Sequence, residues 1–229
     1  VVHFSFAKMT SEQEKRDLVL AAFCTQPPIL WTDDKLFTIQ AIHDHQNIRV
    51  YSRRKEDIPV ELRTAFRRQK PPSVMVWAGV TSDGRKTPLI FIEEGVKINQ
   101  AVYLELLSKK MLPWIQDEFQ DKPICFQQDE APSHTAKLVQ QYCQDVFPDF
   151  WGKEIWPPSS LDLNPMGFGM QSILERKACA KSVPNVETLK RNLIKAWDEI
   201  SAEDVRAVTD SAASRFRAVV AARSGYFEE

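Results

Sequence analysis

Hydrophobic positions change their spacing along the chain, and the change predicts where strands and helices lie. Apolar or alternating runs of strand length occur in six segments: 29–40, 47–52, 73–82, 87–95, 123–130 and 149–158. Helical spacing of apolar positions marks four later segments: 99–119, 134–147, 185–200 and 202–223. Strands therefore come first, strands and helices then alternate, and helices end the chain. This order predicts an α/β fold in which a mixed central sheet is flanked by helices.

The domain boundary is predicted near the start of the chain. Residues 10–24 have the pattern of a helix that begins with a capping box. A loop with two prolines at 27 and 28 follows and separates this helix from the first strand. We therefore predict an N-terminal extension or linker helix in residues 1–28 and a single domain in residues 29–229.

Composition excludes several classes of function. A hydrophobic content of 43 % predicts a folded globular chain. The net charge of −1 gives no overall attraction to nucleic acid, so DNA binding would need local basic patches. No apolar run reaches the ~18 residues that span a bilayer, and we expect no membrane partner. The four cysteines are far apart, which indicates reduced thiols in an intracellular protein.

Two acidic positions lie where predicted strands can support a metal site. Asp33 and Asp34 are consecutive in a strand, so only one of them faces a given site. Asp129 ends an apolar strand, at the edge where open α/β sheets bind ligands. Two carboxylates from neighbouring strands suit Mg²⁺, and paired ions support phosphoryl transfer. Carboxylates also occur at solvated strand ends, so spacing alone leaves that alternative open.

The run NPMGFGMQSILERK, residues 164–177, predicts a helix with an unusual first turn. Asn164 is a suitable cap, and Pro165 suits the first turn. Two of only seven glycines in the chain, Gly167 and Gly169, follow at once. Each costs about 1 kcal/mol relative to alanine inside a helix. Helix propensity therefore gives no reason for their presence.

A basic segment at residues 53–70 is the candidate DNA contact. It carries seven basic and three acidic side chains, and such a patch binds phosphates in a salt-dependent way. The predicted DNA-binding residues are Arg53, Arg54, Lys55, Arg67, Arg68 and Lys70. The alternative is a solvated loop that contains a short amphipathic helix.

Taken together, these segments resemble the catalytic domain of mariner-type transposases of the Tc/mariner superfamily. Six stretches carry the resemblance: WTDDKLFTI (31–39), KPPSVMVWAGVTSDGRKTPLIFIEEGVKINQ (70–100), FQQDEAPSHTA (126–136), WPPSSLDLNPM (156–166), SILERKACAK (172–181) and RSGYFEE (223–229). The resemblance implies an RNase-H-like fold and a DDE/D metal site for Mg²⁺ or Mn²⁺. It also implies cut-and-paste DNA cleavage and strand transfer in the nucleus, by a homodimer acting on transposon ends and target DNA.

Carried over position by position, the resemblance assigns the acidic site. Asp33 and Asp129 match the first and second catalytic carboxylates, and Asp34 matches an acidic position that is not catalytic. The third carboxylate follows the DLNP motif in relatives, and this chain has Gly167 there. Between Asp129 and Gly167 lie 37 residues, the spacing of one mariner-like branch with a third aspartate. The resemblance thus implies a missing ligand, weak metal binding and impaired or absent cleavage.

Other departures from the family pattern lie close to the missing carboxylate. Leu161 stands where relatives usually have proline, Gly169 where a larger residue is usual, and Gln171 where tryptophan is usual. Such a cluster indicates relaxed selection in an old element copy, or repurposing after domestication. We expect no rescue by Asp162, which relatives carry beside the third acid. Glu175 lies ~12 Å along the helix from residue 167 and is too distant to replace it.

The main prediction is therefore a transposase catalytic domain with an incomplete acidic triad. One alternative is a domesticated, non-catalytic DNA-binding or assembly module. A second alternative is another RNase-H-like nuclease, against which the QDxAPSH and DLNP elements argue. The helices that read DNA sequence in the family are not in this chain, so we expect no sequence-specific binding by it alone.

Overall fold

A computed structural model describes residues 27–39, 52, 54–59, 71–120, 122–156, 160–181 and 183–221. The helix predicted at 10–24 lies outside the described residues, as does the strand predicted at 47–52 apart from Ser52. The boundary predicted at residue 28 is not tested, because only the last two residues of the extension are described.

Within the described residues, five strands form a single mixed sheet in the order β3-β2-β1-β4-β5. Their bounds are Ile29–Thr38 for β1, Ser73–Thr81 for β2, Ile90–Ile92 for β3, Cys125–Gln127 for β4 and Asp149–Trp151 for β5. β1, β2 and β3 pair antiparallel, whereas β4 is parallel to both β1 and β5. The predicted mixed sheet is confirmed, and Gly84 lies in the connection between β2 and β3 at a φ of 97°.

Six α-helices and two π-helical turns cover this sheet in the described part of the chain. The helices are α1 (Gln100–Leu106), α2 (Leu112–Phe119), α3 (Lys137–Val146), α4 (Gln171–Ala178), α5 (Val186–Asp198) and α6 (Ala202–Ala221). One π-helical turn, Leu107–Met111, joins α1 to α2, and Pro113 lies in the first turn of α2. The other, Met166–Met170, leads into α4.

Helices cover both faces of the sheet, and the alternation of β1 shows which face each residue meets. Trp31 is fully buried in the cluster formed with α4, α5 and α6. Leu30 is fully buried in the other cluster, formed with α1, α2 and α3. Because side chains alternate along a strand, Asp33 lies on the face of α4. Asp34 lies on the face of α1 and α3.

Gly169 allows α6 to pack against the start of α4. A Cβ atom added at Gly169 would collide with the Cγ1 methyl group of Val208 in α6. The absence of a side chain at this position therefore has a packing reason, which the sequence pattern did not show. Gly169 is thus explained without reference to the acidic site.

We expect Gly169→Ala to destabilise the chain by about 1–3 kcal/mol, because overpacking forces a shift of Val208 or of α6. This loss opposes the gain of about 1 kcal/mol that alanine brings inside a helix. Urea unfolding of both proteins measures the difference. In a Val208→Ala background the penalty is expected to shrink, and an equal penalty in both backgrounds would contradict the packing explanation.

Candidate active site

Parallel pairing of β1 with β4 brings the two predicted carboxylates together. Ile29 pairs with Cys125 and Trp31 pairs with Gln127. Two residues further along each chain, the same register leads to Asp33 and Asp129. Burial raises the pKa of Asp33, and the negative charge of Asp129 raises it further, which reflects this proximity. The first two predicted site residues thus meet near the end of β4, where it runs beside β1 in the middle of the sheet.

Asp33 is held by two hydrogen bonds in a mostly buried position. Its Oδ1 accepts from the backbone N–H of Asp34 at 2.9 Å, and its Oδ2 accepts from Nε2 of Gln171 at 3.0 Å. Desolvation by burial is the main reason that the pKa of Asp33 rises from 3.8 to about 7, and the charges of Asp129 and Asp34 raise it further. Near neutral pH, Asp33 is therefore partly protonated.

Asp129 differs from Asp33 because a histidine supports its ionised form. Its Oδ1 accepts from the backbone N–H of Ala131 at 3.0 Å and contacts Nδ1 of His134. Burial raises the pKa of Asp129, but the hydrogen bond and charge of His134, together with the backbone hydrogen bond from Ala131, outweigh burial and lower the pKa overall. The site therefore pairs one readily ionised carboxylate, Asp129, with one that keeps its proton to a higher pH, Asp33.

A buried polar network fixes His134 behind Asp129. The His134 ring lies against the ring of Tyr103, with 4.1 Å between their centroids. The amide of Gln128 donates to the Tyr103 hydroxyl at 2.8 Å, and the amide of Gln140 donates to the backbone carbonyl of His134 at 2.9 Å. Sequence reasoning did not find Tyr103, Gln128 or Gln140. Gln128 could have been noticed as the second of two glutamines that interrupt the apolar run before Asp129.

Asn164 anchors the third predicted position beside β1. Its Nδ2 donates to the backbone carbonyl of Thr32 at 3.1 Å, and its Oδ1 accepts from the backbone N–H of Met166 at 3.0 Å. The second bond confirms Asn164 as a cap for the helical segment that follows. Gly167 lies in the π-helical turn between Asn164 and Gln171, and this turn contacts β1. All three predicted positions therefore come from segments that meet at β1.

Two carboxylates, those of Asp33 and Asp129, are the candidate metal ligands at these positions. Among the described residues, no group of three or more histidine, cysteine, aspartate or glutamate side chains could hold a metal ion. Glu175 accepts a hydrogen bond from Lys35 Nζ at 2.7 Å and is engaged in that ion pair. Mg²⁺ is commonly held by one or two carboxylates and several waters. Asp33 and Asp129 fit such an ion, but Gly167 adds no ligand.

Most residues of the predicted DNA contact lie outside the described part of the chain. Arg54 is described and exposed, and Lys55 begins a 3₁₀ turn, Lys55–Asp57. Arg53, Arg67, Arg68 and Lys70 are not described. The basic DNA contact therefore stays a prediction.

Comparison with known proteins identifies relatives among transposases, although no protein-family profile matches the chain. The Tcb1 transposase of Caenorhabditis briggsae is 30 % identical over 207 residues, which cover 86 % of this chain and 68 % of the relative. The Tcb2 transposase of the same organism is 28 % identical over 151 residues, 66 % of this chain. The Tc3 transposase of Caenorhabditis elegans is 28 % identical over 154 residues, 65 % of this chain. The chain spans about half of these last two relatives, 52 % and 43 % of their lengths.

Solved structures of the Mos1 transposase share the fold. The crystal structure of the catalytic domain of Mos1 mariner transposase matches 99 % of this chain and 98 % of its own, with a TM-score of 0.72 and 16 % identity. The Mos1 mariner paired end complex with Mg matches with a TM-score of 0.77 and 17 % identity, over 100 % of this chain and 67 % of that one. At these identities the match establishes the RNase-H-like fold. With the Tcb1 relationship, it shows that the chain belongs to the Tc1/mariner family of transposases and corresponds to their catalytic domain.

Proposed function

We propose that this domain carries out metal-dependent DNA cleavage and strand transfer in cut-and-paste transposition, and that Gly167 impairs both steps. The observation that supports this is the meeting of three positions at β1. Asp33 and Asp129 follow paired positions of β1 and β4 and interact electrostatically, and Gly167 lies in the turn held against β1 by Asn164. Two of the three positions can bind a cation, and the third cannot.

Asp33 and Asp129 have different roles in the proposed metal site. Asp33 and Asp129 would hold Mg²⁺ or Mn²⁺, which when bound activates a water and stabilises charge on the phosphate. Asp129 offers an ionised carboxylate oriented by His134, whereas Asp33 must release its proton before it binds a cation strongly. Without a ligand at residue 167, a second ion lacks an anchor. Positioning of water and phosphate then suffers, and positioning supplies much of the rate in such reactions.

The proposed partners are transposon-end and target DNA, with the domain acting as part of a homodimer in the nucleus. Mos1 structures with similar folds include a paired-end complex with the left transposon end and paired end complexes with Mg or Mn. The basic segment 53–70 is the proposed DNA contact. No helix in the part of the chain that the structure describes is long and apolar enough to cross a membrane.

A nicking assay tests this function. The chain is joined to a DNA-binding domain with its matching transposon end, and nicking is measured in Mg²⁺ and in Mn²⁺. We expect rates near background in Mg²⁺ and a small residual rate in Mn²⁺ that Asp129→Asn removes. Rapid Mg²⁺-dependent nicking by the unmodified chain would contradict impairment at residue 167. A residual rate that survives Asp129→Asn would contradict the assigned site.

A further inference from the structure

The side chain of Gln171 reaches the acidic site, which the family pattern does not account for. Gln171 is the first residue of α4 and is 8 % exposed. Its Nε2 lies 3.0 Å from Oδ2 of Asp33, a residue 138 positions earlier in the chain. A buried amide at hydrogen-bond distance from a candidate metal ligand is therefore part of this site.

Helix geometry relates Gln171 to the missing carboxylate. Gly167 lies in the π-helical turn and Gln171 follows it by four residues, about one helical turn, so the two lie on roughly the same side of the segment. Long side chains on a helix point back toward its N-terminus and cover the turn before their own Cα. The Gln171 side chain is therefore expected to point toward the turn that contains Gly167, a residue with no side chain of its own. Its amide reaches the carboxylate that a ligand from residue 167 would approach.

We propose that Gln171 supplies the third protein ligand, through Oε1, to a divalent cation held by Asp33 and Asp129. This inference rests on the proposed function, because it concerns the same metal site. A carboxamide carries a donor nitrogen and an acceptor oxygen on one carbon, and rotation by 180° about its terminal bond exchanges their places. Without a cation, Nε2 donates to Asp33. With a cation, the rotated amide presents Oε1, and amide oxygens are established ligands of hard cations.

A neutral amide has two consequences for such a site. It adds an oxygen ligand but no negative charge, so the site binds a cation less tightly than three carboxylates would. The ligand also approaches from the second turn of the helical segment, so the coordination geometry differs from that expected for a carboxylate at residue 167. Gln171 therefore restores part of the binding, while the proposed impairment of cleavage stays.

The competing interpretation makes the opposite prediction. If the amide only donates to Asp33, it satisfies an oxygen that a cation needs, and its removal should leave Mn²⁺ affinity unchanged or raise it. If Oε1 is a ligand, removal of the amide should weaken binding. The direction of the change therefore decides between the two roles.

Calorimetric titration of the full chain with Mn²⁺ at pH 8 provides the test. Gln171→Leu keeps the size of the side chain and removes its oxygen, and we expect affinity to fall by about tenfold. Gln171→Glu adds a charged oxygen at the same distance, and we expect affinity to rise by about tenfold. Gln141→Leu, at an exposed position of α3, is the matched control and should leave affinity unchanged. Circular dichroism of each variant confirms that it is folded.

Each outcome bears on one proposal or on both. Unchanged or tighter binding by Gln171→Leu would overturn the role of Gln171 as a ligand. If that variant fails to fold, Gln171→Glu decides, and a failure to tighten binding would overturn the same role. Asp129→Asn separates the two proposals. If this variant loses Mn²⁺ binding, the proposed metal site is supported, even if the Gln171 variants show that Gln171 is not a ligand. If neither the unmodified chain nor Gln171→Glu binds Mn²⁺, both proposals fail.

Discussion

Replacing Gly167 with aspartate is expected to tighten Mn²⁺ binding by about 10- to 100-fold and to raise metal-dependent nicking well above background. The substitution returns a carboxylate to the turn that Asn164 holds against β1. The new ligand completes a set with Asp33 and Asp129 and gives a second cation an anchor. Calorimetry measures the affinity, and the nicking assay with a fused DNA-binding domain measures the rate.

Ser172→Asp is the matched control for this substitution. Residue 172 is exposed on α4, so the variant adds the same charge to the same helical segment without facing β1. We expect no change in Mn²⁺ affinity for it. Equal affinities for the unmodified chain and Gly167→Asp would contradict the assignment of residue 167 as the third ligand position. Tight binding without nicking would instead support the alternative of a non-catalytic DNA-binding or assembly module.

The sequence predicted the acidic pair because local signals determine its position. Asp33 lies within β1, Asp129 follows the end of the apolar strand β4, and an α/β order of elements makes parallel pairing of such strands an expected feature. The alternation of side chains left Asp33 and Asp34 as alternatives, and the family resemblance selected Asp33. The structure adds the physical difference between them, since Asp33 lies on the face of α4 and accepts from Gln171.

The roles of Gly169 and Gln171 could not be predicted from the sequence, because their partners are distant along the chain. Val208 lies in α6, and Asp33 lies in β1. Spacing and propensity describe neighbours within one element, whereas these contacts depend on how three separate elements pack. From the sequence alone, Gly167 and Gly169 both looked like departures from the family pattern at the acidic site. The structure separates them, because Gly169 makes room for a helix, whereas Gly167 is the proposed ligand position.

The polar network behind Asp129 was missed for a related reason. Tyr103, Gln128 and His134 come from α1, the end of β4 and the loop before α3. Tyr103 fits the apolar face of its helix, so nothing in the pattern marks its hydroxyl as a hydrogen-bond partner. Buried polar groups need partners, and only the packed structure shows that these residues satisfy one another.

Replacing Asp33 with asparagine is expected to stabilise the metal-free chain by about 2–4 kcal/mol at pH 8, with a gain that disappears as the pH falls toward 4. The pKa of Asp33 rises from 3.8 to about 7 on folding, chiefly through burial and then through Asp129 and Asp34. The folded chain therefore binds this proton more tightly than the unfolded chain. As the pH rises from about 4 to about 7, the unfolded state ionises first and the free energy of unfolding falls. Asparagine does not ionise, so the variant avoids that loss.

Urea unfolding in EDTA at pH 5, 6.5 and 8 measures this difference between the unmodified chain and Asp33→Asn. Asp117→Asn, at an exposed position of α2, is the control and should give a small difference that does not follow this pH dependence. Adding Mn²⁺ at pH 8 should reverse the order, because a cation binds the ionised carboxylate and stabilises only the folded, unmodified chain. A destabilising effect of Asp33→Asn at every pH would show that burial does not raise the pKa of Asp33 on folding. In that case the two acidic residues would not differ in protonation as the folded site indicates.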